Sequence, residues 1–117
     1  MNADEFEAVV EDVLLDLPDW VRDAFDNIRI LVTDAPDPEM DPDGHGLLGL
    51  YQGIPLTERS ANEAGSLPDV IYIFRLPHLA LGLPREELRQ EIRVTVMHEI
   101  AHYFGIDDEH LEAIGWD

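Results

Sequence analysis

The sequence predicts a small α+β domain in which a mixed or antiparallel sheet packs against an N-terminal helix and a long helix near the C-terminus. Helical apolar spacing over the first 17 residues, two β-branched segments in the middle of the chain and a 21-residue helical segment at 84–104 predict this class. The length of 117 residues and the hydrophobic content of 45% are typical of one domain, so we expect a single domain over residues 1–117.

The N-terminal segment predicts a helix with one apolar face. Apolar residues recur at i, i+3 and i+4 from Phe6 to Leu17. Asn2 and Glu5 have the spacing of a capping box, and Pro18 disfavours helix at the residue before it. We therefore expect a helix that ends at Leu17, followed by a further short helical segment over residues 20–25.

Three segments in the middle of the chain predict strands. Residues 28–33 and 70–74 are rich in β-branched and aromatic side chains, and the second of these is the stronger prediction. Residues 47–56 predict a weaker strand or hairpin, in which Gly49 and Gly53 indicate a bulge or a tight bend. Residues 34–46 consist mostly of Asp, Pro, Gly and Glu, which predicts a surface loop.

Residues 84–104 predict the longest helix. Pro84 suits the first helical position, acidic residues follow it in the first turn, and Gly105 can end the helix in a left-handed conformation. A last short helix is expected over residues 108–114.

The charge composition excludes several classes of function. Only 7 basic residues oppose 26 acidic residues, giving a net charge of −19, and phosphate-backbone binding requires basic side chains. We therefore expect no nucleic-acid partner and no membrane partner. The acidic start of the chain is unlike a signal peptide, so we expect a cytoplasmic protein. With no cysteine in the chain, a metal ion would have to be bound by His, Asp or Glu.

The long predicted helix contains the sequence His98-Glu99-Ile100-Ala101-His102. Residues four apart lie one above the other on a helix, so both imidazoles can reach one zinc ion. Glu99 is offset around the helix, where its carboxylate can act as general base toward a metal-activated water without binding the metal. The alternative is a solvated helix face without metal, which the apolar neighbours Val96 and Ile100 disfavour because buried polar groups are costly.

A catalytic zinc site needs a third protein ligand. Because Gly105 can turn the chain back toward the helix, Asp108 is the predicted third ligand. His110 is its main rival, ahead of Glu109 and Glu112, and could instead donate a hydrogen bond to an oxyanion.

Other candidate ligands are weaker. His45 and His78 are predicted to be loop residues without a role. The segment 39–50 has acidic residues at calcium-loop spacing, but Leu50 stands where a bidentate glutamate is required, so we reject calcium binding.

The motif from His98 to Asp108, the small size and the predicted order of elements resemble the small bacterial zincin-like metallopeptidases. The segments 49–57 and 94–108 carry the similarity. The resemblance implies a minimal zincin fold, with zinc on His98, His102 and Asp108 and Glu99 as the catalytic carboxylate. The motif is also similar to that of the metzincins, which have histidine at the place of Asp108 and a methionine turn that this chain lacks.

A site of this kind would support zinc-dependent peptide-bond hydrolysis, with Glu99 as the general base. The expected partner is a peptide or protein substrate that pairs along the edge of residues 46–57, and the acidic surface favours basic or neutral peptides. Two alternatives remain: a zinc-stabilised binding or regulatory module with little or no turnover, and an interaction protein in which the acidic first helix binds a basic partner. Tyr51, Tyr72, Tyr103 and His110 are equal candidates for an oxyanion donor.

Overall fold

The computed structural model describes residues 1–23, 28–53, 69–106 and 109. Its elements, in chain order, are α1 (Ala3–Leu15), α2 (Asp19–Arg22), β1 (Ile28–Thr33), β2 (Gly49–Gln52), β3 (Asp69–Phe74), α3 (Arg75–Leu79) and α4 (Arg85–Tyr103). The α+β class is therefore confirmed. The C-terminal ends of the predicted segments 20–25 and 47–56 lie outside the described residues, as does the last predicted helix apart from residue 109.

The described strands form a mixed three-stranded sheet in the order β1-β3-β2. β1 is parallel to β3, with Ile28 opposite Asp69, and β2 is antiparallel to β3, with Gly49 opposite Ile73. β3 is the central strand, and its apolar side chains are the most buried of the three strands, with Ile71 and Ile73 fully inaccessible. β2 lies at one edge of this sheet, alongside α4.

α1 begins as the sequence predicts, since the Asn2 side chain accepts a hydrogen bond of 2.8 Å from the Glu5 backbone N–H. It ends at Leu15 rather than at the predicted Leu17. The α-helical hydrogen-bond pattern ends there, because the Leu17 N–H bonds to the carbonyl of Leu14, three residues back, and not to the carbonyl four residues back. Leu17 is nevertheless 3% exposed and belongs to the apolar core.

The core lies between the sheet and the helices α1 and α4. It contains one cluster of buried side chains: Phe6, Val10, Val13, Leu17, Val21, Ile28, Ile71, Ile73, Leu88, Ile92, Val96, Ile100 and Tyr103. α4 contributes five of these along its whole length, from Leu88 to Tyr103. The helix that carries the predicted metal motif is therefore fixed against the sheet by apolar packing.

α4 ends as predicted. Gly105 has a φ of 81°, and its N–H bonds to the His102 carbonyl while the Ile106 N–H bonds to the Ala101 carbonyl. These two bonds form a Schellman cap that reverses the chain directly after the second histidine of the motif. Among the described helices, none combines the length and the apolar content needed to cross a membrane.

Candidate metal centre

His98, Glu99 and His102 lie together on α4. One potential ligand atom from each residue falls within 4.8 Å of the others, and the two imidazole ring centroids are 4.5 Å apart. Both histidines are partly exposed, whereas Glu99 is 6% exposed. The helical spacing of the motif therefore brings the two imidazoles and the carboxylate to one point at the protein surface.

The Glu99 carboxylate is held in place by β2. Its Oε1 accepts a hydrogen bond of 2.9 Å from the Tyr51 backbone N–H and lies 3.5 Å from His102 Nδ1. A hydrogen bond from a backbone N–H to a carboxylate is charge-assisted and directional. Glu99 is therefore oriented by the neighbouring strand as well as by its own helix.

The strand register explains why this N–H is available. Phe74 N–H donates to the Leu48 carbonyl at 3.0 Å, so Leu48 directs its backbone toward β3. Backbone direction alternates along a strand, and Tyr51 is three residues further on, so its N–H points to the opposite side. In the described sheet that side is the open edge of β2, which faces α4.

Gly49 allows β2 to come this close to α4. A Cβ atom at this position would lie 2.7 Å from Thr95 Cγ2 and 3.3 Å from Glu99 Cγ. The expectation of a bulge or tight bend at Gly49 is wrong, because Gly49 pairs in regular register with Ile73, whereas the chain does bend at Gly53, directly after β2. The glycine is required by the close approach of strand and helix, which a sequence pattern does not distinguish from a bend.

The side chain of Tyr51 anchors the same strand. Its hydroxyl donates to Asp69 Oδ2 at 2.5 Å, and Asp69 is 3% exposed at the start of β3. The ring also lies 6.0 Å from that of Tyr103 on α4. Tyr51 therefore connects three elements, and this positioning role was not predicted from the sequence, where Tyr51 was one of four candidate oxyanion donors.

The prediction that His78 is a loop residue without a role is wrong. It lies on α3 and is fully buried, with Nδ1 2.7 Å from the Phe74 carbonyl and Nε2 2.9 Å from Thr95 Oγ1. A lone histidine after a proline indicates a loop, so only the tertiary packing identifies this one as structural. Burial lowers the pKa of His78, since it disfavours the charged imidazolium.

The loop of residues 34–46 is organised by its own aspartates. Asp41 accepts hydrogen bonds from the backbone N–H groups of His45, Gly46 and Leu47, at 3.1, 3.1 and 3.2 Å. These bonds lower the pKa of the Asp41 carboxyl. Asp41, the third residue of the rejected calcium-loop segment 39–50, is thus engaged by the backbone, and it shapes the segment that enters β2.

Comparison of the sequence with known protein families identifies the family of this chain. The sequence profile of the zincin-like metallopeptidases matches residues 25–116, which include all three described strands and the whole of α4. The chain belongs to the zincin-like metallopeptidase family. No curated protein matched the chain at a significant level. The match begins after α1, so the acidic first helix lies outside the matched residues.

Membership of the zincin family implies a metal ion, usually zinc, and the residues at this site fit one. Two imidazoles are donors that zinc accepts readily, and the carboxylate beside them provides an acid–base group. No sulfur ligand is needed, in keeping with a chain that has no cysteine. Asp108 and its rivals His110 and Glu112 lie outside the described residues, so the third predicted ligand stays a prediction. The remaining rival, Glu109, is exposed.

A cleft of about 450 Å³ opens beside this zincin site. One wall is formed by residues 45–49 and the other by α4, from Glu91 to Glu99. His98 and Glu99 lie at one end of the cleft, which therefore offers space for a ligand next to the metal-binding side chains.

Proposed function

We propose that this zincin is a zinc-dependent peptidase in which His98, His102 and Asp108 bind the metal and Glu99 is the general base. The observation that carries the proposal is the group formed by His98, Glu99 and His102, with Glu99 held by the Tyr51 N–H at 2.9 Å. Bound there, zinc would supply Lewis acidity, lowering the pKa of water and polarising a peptide carbonyl.

Glu99 is the proposed proton-transfer group. Its Oε1 is engaged by the Tyr51 N–H, which supports a fixed carboxylate orientation beside the two imidazoles. In the proposed mechanism the carboxylate accepts a proton from the attacking water and then delivers it to the leaving amine. Tyr51 acts as a positioning residue through its backbone and has no chemical step of its own.

The open edge of β2 is the proposed site of substrate pairing. Gly49 directs its backbone groups to the same side as Tyr51, and the cleft runs along this side toward residues 45–48. An extended peptide could add to this edge as a strand and pass the metal centre. The net charge of −19 supports a preference for basic or neutral peptides, and added salt should weaken that preference.

Hydrolysis of a peptide library by the zinc-loaded protein and by Glu99→Gln tests this proposal. We expect Glu99→Gln to retain zinc and to lose activity by about 10²–10⁴-fold, the usual contribution of a general base. The matched control is Glu86→Gln, which changes an exposed glutamate in the first turn of α4 and should leave the rate unchanged. A zinc-loaded wild-type protein without turnover would contradict the proposal and favour a zinc-stabilised binding module.

The third ligand is tested separately. Asp108→Ala should weaken zinc binding strongly, whereas His110→Ala should leave it unchanged. The opposite result would identify His110, and not Asp108, as the third zinc ligand.

A further inference from the structure

A glutamate that the proposed mechanism does not use lies in the cleft beside the metal centre. Val94 and Thr95 follow Glu91 by three and four residues and precede His98 by four and three, so these residues line the same wall along one face of α4. Glu91 lies at the end of this row away from Glu99. The cleft therefore has the proposed metal site at one end and a carboxylate-bearing residue at the other.

Among the described residues Glu91 forms no ion pair, and its charge acts only on the buried His78, where it opposes the lowering of the imidazole pKa by burial. It is partly buried, and only its backbone carbonyl takes part in a hydrogen bond, which it accepts from Thr95 Oγ1 at 3.0 Å. Two arginines of α4 pair with other acids, since Arg85 pairs with Glu5 and Arg89 pairs with acids of α1. Arg93 does not line the cleft, and no ion pair joins it to Glu91 in the described part of the chain. A partly buried carboxylate without a partner is a favourable site for a cation, because the cation offsets the cost of removing the charge from water.

The distance between Glu91 and His98 matches the reach of a basic side chain on a peptide bound in the cleft. Glu91 precedes His98 by seven residues, so the two lie about 10 Å apart along the helix axis. An extended peptide advances about 3.3 Å per residue. The side chain of lysine or arginine adds roughly 6 Å of reach. A basic residue within about two positions of the cleaved bond would thus bring its charge to Glu91.

The cleft surface between Glu91 and His98 suits the aliphatic part of a lysine or arginine side chain. Val94 is 40% exposed, and it lines the cleft between Glu91 and His98. Lysine and arginine pack their methylene groups along apolar surface while the charged group reaches a polar one. The described lining contains no arginine, so no side chain between the proposed metal site and Glu91 carries a permanent positive charge.

We propose that Glu91 is a specificity-determining residue that selects peptides carrying lysine or arginine within about two residues of the cleaved bond. This inference rests on the proposed peptidase function. It assigns the preference for basic substrates to one carboxylate in the cleft, and not only to the overall negative charge of the surface.

Peptide pairs that differ only in arginine or citrulline test the proposal, since citrulline has the shape of arginine without its charge. The pair is scanned over three positions on either side of the cleaved bond, and kcat/KM is measured with zinc-loaded protein. At one position we expect an arginine preference of about tenfold or more, the range of a charge-assisted hydrogen bond.

Two variants locate the preference. Glu91→Gln should reduce the arginine preference to about twofold or less while leaving zinc content and the cleavage of citrulline peptides unchanged. Glu87→Gln removes the same charge one turn earlier from an exposed position outside the cleft, and should leave the preference intact. Wild-type ratios near one at every position, a preference that survives in Glu91→Gln, or an equal loss in Glu87→Gln would each overturn the proposal.

Binding separates this proposal from the peptidase function. The dissociation constants of the same peptide pairs are measured with the zinc-loaded Glu99→Gln protein, with and without Glu91→Gln. If no peptide is cleaved by the wild-type protein, the peptidase function fails. The binding ratios still decide the role of Glu91, because an arginine preference that disappears in the double variant supports cation selection and an unchanged ratio overturns it.

Discussion

The two halves of α4 are held to the rest of the protein in different ways. The first half joins α1 through exposed ion pairs, with Arg89 Nη2 3.2 Å from Asp12 and 3.0 Å from Asp16, and through the buried side chains of Leu88 and Ile92. The second half contacts α3 and β2 through buried polar groups. Thr95 bonds to His78, and Glu99 bonds to the Tyr51 backbone.

This difference shows where stability and function depend on the same contacts. Exposed ion pairs contribute little and can be replaced, whereas a buried polar group that loses its partner is costly. In the second half of α4 the polar contacts that stabilise the fold also place Glu99 next to the two histidines. Changes there should alter stability and the metal site together, while removal of the ion pairs between the first half and α1 should leave the metal site intact.

The largest loss of stability is expected from His78→Ala. The substitution removes a fully buried ring, its two hydrogen bonds and its contact with Phe6, where the ring centroids are 5.5 Å apart. We expect the free energy of unfolding to fall by about 2–4 kcal/mol, measured by denaturant titration. His45→Ala is the control, because the His45 side chain is 80% exposed and its removal should change stability little. Equal effects of the two variants would contradict a structural role for His78.

Gly49→Ala tests the close approach of β2 and α4. A methyl group there meets Thr95 Cγ2 at 2.7 Å, so we expect a loss of about 1–3 kcal/mol and a lower kcat at unchanged zinc content. Adding Thr95→Ser removes that methyl group but keeps the hydroxyl, and should restore part of both losses. If the double variant is no better than Gly49→Ala, the Thr95 contact is not the cause.

The pH dependence of stability provides a smaller test on the same side of α4. Burial lowers the pKa of His78 from its ordinary value of 6.5, so the folded protein takes up a proton less readily at this residue than the unfolded chain does. This contribution to stability is therefore complete above pH 6.5 and decreases as the pH falls below it. His78→Gln should remove that part of the pH dependence in unfolding titrations between about pH 7 and pH 5. An unchanged slope in the variant would contradict the assignment.

The smallest effect is expected in the first half of α4. Arg89→Met removes the ion pairs to Asp12 and Asp16 but keeps the aliphatic part of the side chain. We expect a minor decrease in thermal stability that disappears in about 1 M salt, where exposed charges are screened. Zinc content and activity should not change. A loss of zinc in this variant would show that the two halves are coupled.

Much of the fold followed from local signals in the sequence. The limits of β1, the Asn2 cap and the left-handed end of α4 at Gly105 agree with the structure, because each depends on residues close together in the chain. The five-residue helix α3 was missed, because its sequence contains a proline and has no apolar period. Local patterns thus specified the long elements and the motif on α4.

The surroundings of the site were not predictable in the same way. The bond between Tyr51 and Glu99 spans 48 residues, and the contact of Gly49 with Thr95 depends on how β2 packs on α4. Neither has a local signature. The motif spacing predicted the grouping of His98, Glu99 and His102, since a helix fixes their relative positions. The residues that orient and enclose this group become evident only in the folded chain.

We expect His98 and His102 to bind one metal ion on α4. The most direct test is the zinc content of the purified wild-type protein and of His102→Ala after extensive dialysis, with His45→Ala as the matched control. We expect about one zinc ion per chain in the wild-type protein and the control, and close to none in His102→Ala. A wild-type protein without zinc, or a His102→Ala variant that retains it, would contradict the account.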